Sequence, residues 1–250
     1  MSYDFAWHAR HGALTDSSAR LTLQDLVAVL PIESVVDVGC GDGRWLRQCA
    51  GLGVPTIAGV DGPWTNADAL VIPATCVTTT DLERQFTLDR RFDLAISLEV
   101  AEHLAPSASE QFVDNLVALS DCVLFGAAIP YQGGYRHINE RWQTFWAGQF
   151  ERHDYQAFDL FRYKLWNLAS VHFWYKQNML LYIKRERHDL TRAVNAHISR
   201  TGVRQLPIDL VHPEKYESIA SYEQIAFKPL LRKLPGRAMH KARAILGGEI

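Results

Sequence analysis

Three glycines, Gly39, Gly41 and Gly43, follow a short apolar run that contains Asp37. A glycine lacks Cβ, so the chain can bend sharply there or lie against a bound molecule, and a helix that begins after such a turn offers unpaired backbone N–H groups. The segment is therefore predicted to form a strand, a tight turn and a helix start that together bind a nucleoside-type ligand. A strand–helix turn that holds no ligand is the alternative.

The spacing of these glycines separates the classes of nucleotide site. Dinucleotide sites use G-x-G-x-x-G, in which the third glycine lets helix and strand pack closely. This chain has G-x-G-x-G, with Arg44 in the place of that third glycine. A nicotinamide cofactor is therefore disfavoured.

A second acid, Asp61, ends the short apolar run 56–60. It lies roughly twenty residues beyond the first glycines, which is the offset that ribose recognition requires. Its carboxylate can accept hydrogen bonds from both ribose hydroxyls. An acid that ends a strand is also a common solvated turn residue, but its position after the glycine loop favours the ribose role.

A third block, residues 91–104, has a buried strand pattern that runs into Glu99, Glu102 and His103 before a helix start. This block resembles the fourth motif of class I S-adenosylmethionine (SAM) dependent methyltransferases, and the acid with its glycine loop resembles their first motif. The resemblance implies SAM as the cofactor. The residues that it assigns to cofactor binding are Asp37, Gly39, Gly41, Gly43, Asp61, Asp81, Leu82 and Glu99. Glu99 is expected at the methionine end, Asp61 at the ribose, and Asp81 with Leu82 at the adenine.

Short apolar runs alternate with helical patterns along the chain, which predicts an α/β fold with helices on both faces of a mostly parallel sheet. A first helix is expected over 17–30 and a later one over 107–119. Strands are expected near 33–38, 55–60, 74–79, 92–98, 121–127, 157–161 and 179–184. The resemblance implies a Rossmann-like, doubly wound, seven-stranded sheet in the order 3-2-1-4-5-7-6, with an antiparallel last strand.

The loop after the fifth strand, residues 129–142, is rich in polar and aromatic groups, and such strand-end loops commonly carry chemistry. Transfer to a hydroxyl requires removal of a proton, which an imidazole performs well near neutral pH. His137 is the predicted base and His103 the rival. The predicted acceptor-binding residues are Tyr135, Asn139, Glu140 and Trp142. This loop, with residues 174–178, resembles a bacterial subgroup that modifies glycans or small molecules.

Structural roles are the alternatives in this loop. His137 could cap or staple it, Asn139 could N-cap the following helix, and Trp142 with Trp146 could form that helix's core face. A metal site of His103, His137 and Glu140 or Glu102 is conceivable, but nothing in the spacing demands one. Metal independence is the default expectation.

The composition limits the size of the core, the kinds of partner and the cellular compartment that we expect. The 250 residues, 48% of them hydrophobic, can bury one substantial core, and the net charge of −2 disfavours a general nucleic-acid-binding surface. The four cysteines form no CxxC pair, which indicates reduced thiols and a cytoplasmic protein. The expected division is a helical extension (1–30), a SAM-binding domain (31–185) and a C-terminal extension (186–250).

The last of these regions ends in a basic stretch, residues 228–244, that contains no acid. Contact with an anionic membrane is left open there, although a solvated helix face or frayed terminus is favoured. Homodimerisation is also left open, because aromatic residues cluster between positions 161 and 175. The sequence thus predicts a SAM-dependent methyltransferase that acts on an oxygen of a sugar, a glycan intermediate in polysaccharide biosynthesis or another small molecule. N-methylation of an amine and a non-catalytic SAM-binding regulatory domain are the alternatives.

Overall fold

The computed structural model describes residues 5–220, with side chains from residue 12 onward. The helices are α1 (Phe5–Val29), α2 (Arg44–Gly51), α3 (Ser109–Leu119), α4 (Gln143–Glu151), α5 (Arg162–Leu165), α6 (Phe173–Asn178), α7 (His188–Thr201) and α8 (Pro213–Ala220). The strands are β1 (Ser34–Val38), β2 (Thr56–Asp61), β3 (Val77–Thr79), β4 (Leu94–Leu98), β5 (Cys122–Gly126), β6 (Tyr155–Phe158) and β7 (Leu180–Lys184). Short 3₁₀ turns lie at Ala67–Ala69, Ala74–Cys76, Ala101–His103 and Pro106–Ala108.

The seven strands form one sheet in the order β3-β2-β1-β4-β5-β7-β6. Strand β7 runs antiparallel to both β5 and β6, while the other described pairings are parallel. The predicted fold class, strand order and antiparallel last strand are therefore confirmed. The carboxyl ends of β1 to β5 meet at one edge, which is where an open α/β sheet gathers a ligand.

Three predicted element positions differ clearly from the observed ones. Helix α1 begins at Phe5 instead of residue 17, β3 begins at Val77 after a 3₁₀ turn instead of at residue 74, and β6 ends at Phe158 instead of reaching 161. The register of β6 with β7 stops at the pair Phe158 and Leu181. Leu160 and Phe161 are buried beyond that point without extending the ladder, so their apolar character reflects packing and not strand pairing.

Apolar side chains pack on both faces of the sheet. The central strand β1 is buried throughout, with Val35 in the cluster on one face and Val36 in the cluster on the other. Helices α1, α2 and α7 contribute buried residues to the first cluster, and α3 and α4 to the second. A strand covered on both faces reads as a continuous apolar run, which is why the sequence pattern located these strands.

The compact unit that contains the sheet extends from Met1 to His212, and Pro213–Ile250 form a second unit. Leu190 and Val194 of α7 belong to the core of the first unit, so packing continues past the predicted division at residue 185. Only α8 is described in the second unit. The predicted basic tail lies outside the described residues, and the predicted division into three regions stays a prediction.

Two further observations concern the cysteines and the apolar character of the helices. All four cysteines carry free thiols, as predicted. None of the helices that the structure describes is long and apolar enough to cross a lipid bilayer.

A buried ion pair fixes the segment that follows α7. Arg162 is fully buried, its Nε donates to Asp159 Oδ2 at 2.9 Å, and its terminal nitrogens donate to the carbonyls of Pro207 and Ile208 at 2.7 and 2.6 Å. Loss of one partner leaves a buried charge uncompensated, which is costly.

We expect Asp159→Ala to lower the free energy of unfolding by about 3–5 kcal/mol, because the guanidinium of Arg162 would lose its buried counter-charge. The matched control is Asp25→Ala. Asp25 pairs with Lys164 at 2.6 Å on the surface, and such pairs contribute only about 0–1 kcal/mol. Urea denaturation of both variants measures the difference, and similar small losses in the two would contradict this account of Asp159.

Candidate active site

The glycine loop after β1 has the left-handed backbone that its sequence predicts. Gly39, Gly41 and Gly43 have φ angles of 85°, 56° and 85°. A Cβ added at Gly39 would lie 2.3 Å from a methyl carbon of Val100, and one added at Gly43 would lie 2.6 Å from Ile72. The first and third glycines are therefore required by packing.

The second glycine faces a different environment. A Cβ added at Gly41 would meet nothing within 4 Å. The backbone N–H of Gly41 donates to Asp61 Oδ2 at 2.6 Å, and that of Gly62 donates to Asp61 Oδ1 at 2.6 Å. Asp61 thus joins the glycine loop to the end of β2, beside an open space. Trp64 also hydrogen-bonds this carboxylate, whose two oxygens have about four acceptor sites, so capacity remains for a ligand hydroxyl.

Acidic groups converge at this edge. Asp37 is buried, and burial followed by the proximity of Asp61 and Asp42 raises its pKa well above the usual value. Burial also raises the pKa of Asp61, while its hydrogen bonds from Gly41 and Gly62 oppose that shift. A nearby cation would stabilise the ionised form of these carboxyl groups. The carboxyl edge of the sheet is therefore electrostatically suited to a positively charged ligand.

An exposed tryptophan, which sequence reasoning missed, lies beside the predicted ribose acid. The ring of Trp64 covers Gly62, where an added Cβ would lie 2.2 Å from the ring, and Trp64 hydrogen-bonds Asp61. Its side chain is 71% exposed. The signal was available, because Trp64 stands only three residues after the predicted ribose acid.

The two predicted adenine residues lie just beyond β3. Asp81 is exposed, accepts from the backbone N–H of Glu83 at 3.0 Å and lies 3.6 Å from the guanidinium of Arg84. Leu82 is buried in the second core cluster. The side chain of Leu82 therefore anchors this turn in the core, and contact of either residue with adenine stays a prediction.

Glu99 follows β4 in a left-handed conformation, with a φ of 58°. Its carboxylate accepts from Gln132 Nε2 at 2.7 Å and from Asn178 Nδ2 at 2.8 Å. Burial raises the pKa of Glu99 to about 7, against the lowering effect of these amides. Gln132 and Asn178 were not predicted as site residues, because they lie far apart in the sequence and meet only in the fold.

The loop after β5 is organised by Glu140. Its carboxylate accepts from the backbone N–H groups of Tyr131 and Gly133 at 2.8 and 2.6 Å, and it lies 3.0 Å from His137 Nδ1. Glu140 therefore shapes the loop and orients an imidazole. Three aromatic side chains on this loop remain exposed: Tyr131, Tyr135 and Trp142.

Asn139 has a buried position in the same loop. Its Nδ2 donates to the carbonyl of Ala101 at 3.2 Å and to Ser109 Oγ at 2.9 Å. The alternative role as an N-cap is wrong, because α4 begins at Gln143 with Trp142 at its N-cap position. Trp146, in contrast, is buried in the core as its spacing suggested. An acceptor-binding role for Asn139 stays a prediction.

The two histidines predicted as candidate bases lie together. The ring centroids of His103 and His137 are 4.8 Å apart, with the rings nearly perpendicular. Burial and the proximity of His137 lower the pKa of His103 to about 4, so His103 is neutral at pH 7. A Cβ added at Gly134 would lie 2.2 Å from His137 Nε2, so the glycine leaves room for this ring.

Glu102 stands beside the two histidines, between the cofactor edge and the loop. It is fully buried, and burial followed by the proximity of Glu99 raises its pKa well above the usual value. The backbone carbonyl of Glu102 accepts from the N–H groups of Ile138 and Asn139 at 2.9 and 3.0 Å. The 3₁₀ turn Ala101–His103 and the loop after β5 are therefore held as one unit.

Arg44, which replaces the third glycine of a dinucleotide site, has a distinct function in packing. Its guanidinium pairs with Asp16 and Asp42, each at 2.8 Å, and lies against Gly12 of α1. In a dinucleotide fold a glycine at this position lets helix and strand pack closely. In this chain Arg44 stands there and attaches α1 to the glycine loop. This contact supports the prediction against a nicotinamide cofactor.

A groove of about 390 Å³ lies at the opposite, amino-terminal edge of the sheet, beside residues that precede β4 and β5. Its charged groups pair with one another, Arg91 with Asp121 at 2.5 Å and Lys184 with Glu186 at 2.5 Å. It therefore offers no convergent set of available groups, and the carboxyl edge is the candidate site.

Comparison with solved structures supports the fold. The magnesium protoporphyrin IX methyltransferase ChlM of Synechocystis PCC 6803, with bound SAM, has a TM-score of 0.50 at 18% identity, over 68% of this chain and 78% of that chain. The sugar N-methyltransferase KedS8 of Streptoalloteichus sp ATCC 53650 has a TM-score of 0.54 at 15% identity, over 74% and 93% of the two chains.

CalS10, an amino pentose methyltransferase of Micromonospora echinaspora involved in calicheamicin biosynthesis, has a TM-score of 0.51 at 13% identity, over 74% of this chain and 97% of that chain. No curated protein sequence matches the chain significantly. A family model described as a methyltransferase domain matches residues 6–155, which is more than half of the sequence. The chain therefore belongs to the methyltransferase-domain family and is a class I methyltransferase, the class whose cofactor is SAM.

Proposed function

We propose that this protein transfers a methyl group from SAM to a hydroxyl of a sugar, a glycan intermediate or another small molecule. One observation carries the proposal. His103, in the turn that follows Glu99, packs against His137, in a loop that exposes three aromatic side chains. Groups that can activate a hydroxyl thus lie where the cofactor edge meets a surface suited to an acceptor.

The residues at the glycine loop fit an adenosyl cofactor. Gly41 leaves open space where any other residue would place a Cβ, and Asp61 beside it retains acceptor capacity for ribose hydroxyls. Asp37, which is buried, and Glu99, which is half-buried, are acids near the predicted methionine end. They would favour the positively charged sulfonium and ammonium groups of SAM. SAM supplies the methyl group, and the chain supplies its orientation.

The chemistry of transfer sets what the acceptor side must provide. The acceptor oxygen forms a bond to the methyl carbon as the carbon–sulfur bond breaks, and the electron pair stays on sulfur, which becomes a neutral thioether. The hydroxyl proton must leave during this step, so a group that activates the hydroxyl is needed. His137, oriented by Glu140, is the predicted residue for this task, and His103 is its neighbour.

The exposed aromatic side chains support a sugar-like acceptor. Tyr131, Tyr135 and Trp142 are 78%, 41% and 40% exposed on one loop. Aromatic rings offer apolar faces with a polar edge, and such faces pack well against the C–H face of a sugar ring. Two of the structurally similar proteins are described as sugar or amino pentose methyltransferases.

N-methylation of an amine is the second candidate, and those same neighbours favour it. KedS8 is described as a sugar N-methyltransferase, and CalS10 acts on an amino pentose. A neutral amine is already a nucleophile, so this reaction has little need of hydroxyl activation. The half-buried histidine pair has no evident role in that reaction, and oxygen remains the favoured acceptor atom.

Gly41→Ala tests the cofactor cradle. A residue with Cβ at this left-handed position costs about 1–2 kcal/mol of stability, and its methyl group would also occupy the proposed cofactor space. We expect the affinity for S-adenosylhomocysteine to fall at least tenfold, or about 1.4 kcal/mol, by isothermal titration calorimetry. The matched control is Gly53→Ala, because Gly53 has a φ of 90° and equally open surroundings beyond α2. Equal affinities in the two variants would remove Gly41 from the cofactor site.

His137→Ala distinguishes the two acceptor chemistries. If the acceptor is a hydroxyl, the rate of labelled-methyl transfer should fall by roughly 10²–10⁴, because the activating group is lost. The affinity for S-adenosylhomocysteine should stay within twofold. His153→Ala is the control, since His153 pairs with Asp114 away from the site, 2.8 Å apart. A panel of nucleotide sugars and amino sugars serves as acceptors, and a fully active His137 variant would favour amine methylation.

A further inference from the structure

Three side chains with metal-binding atoms converge where the 3₁₀ turn after β4 meets the loop after β5. One ligand atom from each of Glu102, His103 and His137 lies within 4.8 Å of the other two. Three ligand atoms bound to one cation at about 2.1 Å, in a tetrahedral or trigonal arrangement, lie about 3.4–3.6 Å apart. Side-chain movements that close the widest pair by little more than about 1 Å would therefore bring all three onto a single ion.

The state of Glu102 is the second, independent observation. Its side chain is wholly buried, yet neither carboxylate oxygen has a hydrogen-bond partner among the described residues. The backbone N–H groups of Glu102 and Ala128 interact with the carboxylate without meeting strict hydrogen-bond geometry, and the carboxyl group of Glu99 can bond to it only by sharing a proton. A buried carboxylate without partners is costly, and coordination of a cation is one of the few ways to compensate it.

The surroundings of the two imidazoles match those of metal-bound histidines. His137 Nδ1 lies 3.0 Å from the carboxylate of Glu140, which leaves Nε2 for a ligand. The ring of His103 is hydrogen-bonded by the backbone of Tyr135 and Arg136. Carboxylate and carbonyl partners on the second ring nitrogen fix the tautomer and orientation of metal-ligating histidines.

We propose that Glu102, His103 and His137 form a binding site for one divalent transition-metal cation. Two imidazole nitrogens and a carboxylate oxygen suit manganese, iron, cobalt or zinc better than magnesium, which prefers oxygen ligands in an octahedral shell. Three protein ligands leave further coordination positions for water or an acceptor oxygen. Cation binding does not depend on the proposed function.

The role of such a cation does rest on the proposed function. A hydroxyl oxygen bound to the cation is polarised and loses its proton more readily, so the metal would activate the acceptor. His137 is then a ligand and not itself the base, and the hydroxyl proton would pass to solvent water. This assignment replaces the metal-independent default that the sequence suggested. It also gives the histidine pair, Glu102 and the orienting Glu140 a shared purpose.

Binding of Mn²⁺ to the full-length protein tests the site. The protein is dialysed against a chelator and then titrated with Mn²⁺, with the free ion followed by electron paramagnetic resonance. We expect one tight site per chain. Glu102→Gln and His137→Ala should each weaken it at least tenfold, and Mn²⁺ should raise the melting temperature of the native protein but not that of the variants. Circular dichroism verifies that the variants are folded.

Two control variants separate this site from adventitious binding. Glu110→Gln removes an exposed carboxylate paired with Arg152, and His153→Ala removes an imidazole paired with Asp114. Both should bind Mn²⁺ as the native protein does. A native protein that takes up no stoichiometric Mn²⁺, or site variants that bind as tightly as the controls, would overturn the proposal. Glu102 and Glu99 sharing a proton would then explain the buried carboxylates.

The two proposals fail separately. If the protein binds S-adenosylhomocysteine but does not bind Mn²⁺, the proposed methyltransferase function stands and the cation site is wrong. If it binds Mn²⁺ but does not bind S-adenosylhomocysteine, the cation site stands and the proposed function is wrong. Neither measurement requires knowledge of the acceptor.

Discussion

The pair of short hydrogen bonds that Asp61 accepts from the backbone of Gly41 and Gly62 is the interaction on which the cofactor edge depends. One carboxylate fixes the turn after β1 and the turn after β2, and it adds to the backbone bonds that Gly39 and Cys40 donate to the Val60 carbonyl at 2.7 and 3.2 Å. The geometry leaves Gly41 beside open space and aligns the acids along the edge. Because a charge-assisted hydrogen bond is roughly twice as strong as a neutral one, a side chain at this position has large control over the backbone.

The other polar side chains at this edge are also held in place by hydrogen bonds. Glu99 is held by two neutral amides, Glu140 by two backbone N–H groups, and Asn139 by a carbonyl and a hydroxyl. Glu102 departs from this rule, since neither of its carboxylate oxygens accepts a hydrogen bond from an N–H or O–H group of the described residues. A buried polar group of this kind needs an explanation, and the proposed cation between Glu102 and the two imidazoles supplies one.

The sequence alone predicted the parts of the fold that depend on local pattern. The glycine spacing predicted the left-handed turn, the offset of Asp61 predicted its place beside that turn, and buried apolar runs located the strands. The order of the strands came from resemblance, since periodicity contains no information about which strands are neighbours. Helix α1 was predicted too short, because part of what holds it is long-range: Asp16 receives Arg44 and Arg47 from another helix. Likewise, Gln132 and Asn178 reach Glu99 only after the chain has folded.

Gly134 has no side chain, yet the position of the His137 imidazole depends on it. Any Cβ there would overlap Nε2 of that ring, so every substitution would push the histidine out of place. The constraint on Gly134 is one of empty volume, and the residue should tolerate replacement as poorly as a residue that contributes a functional group. A survey of variant fitness along this loop would therefore rank Gly134, a chemically inert position, among the functional ones. Backbone conformation would not explain that ranking, since Gly134 is not among the glycines with positive φ.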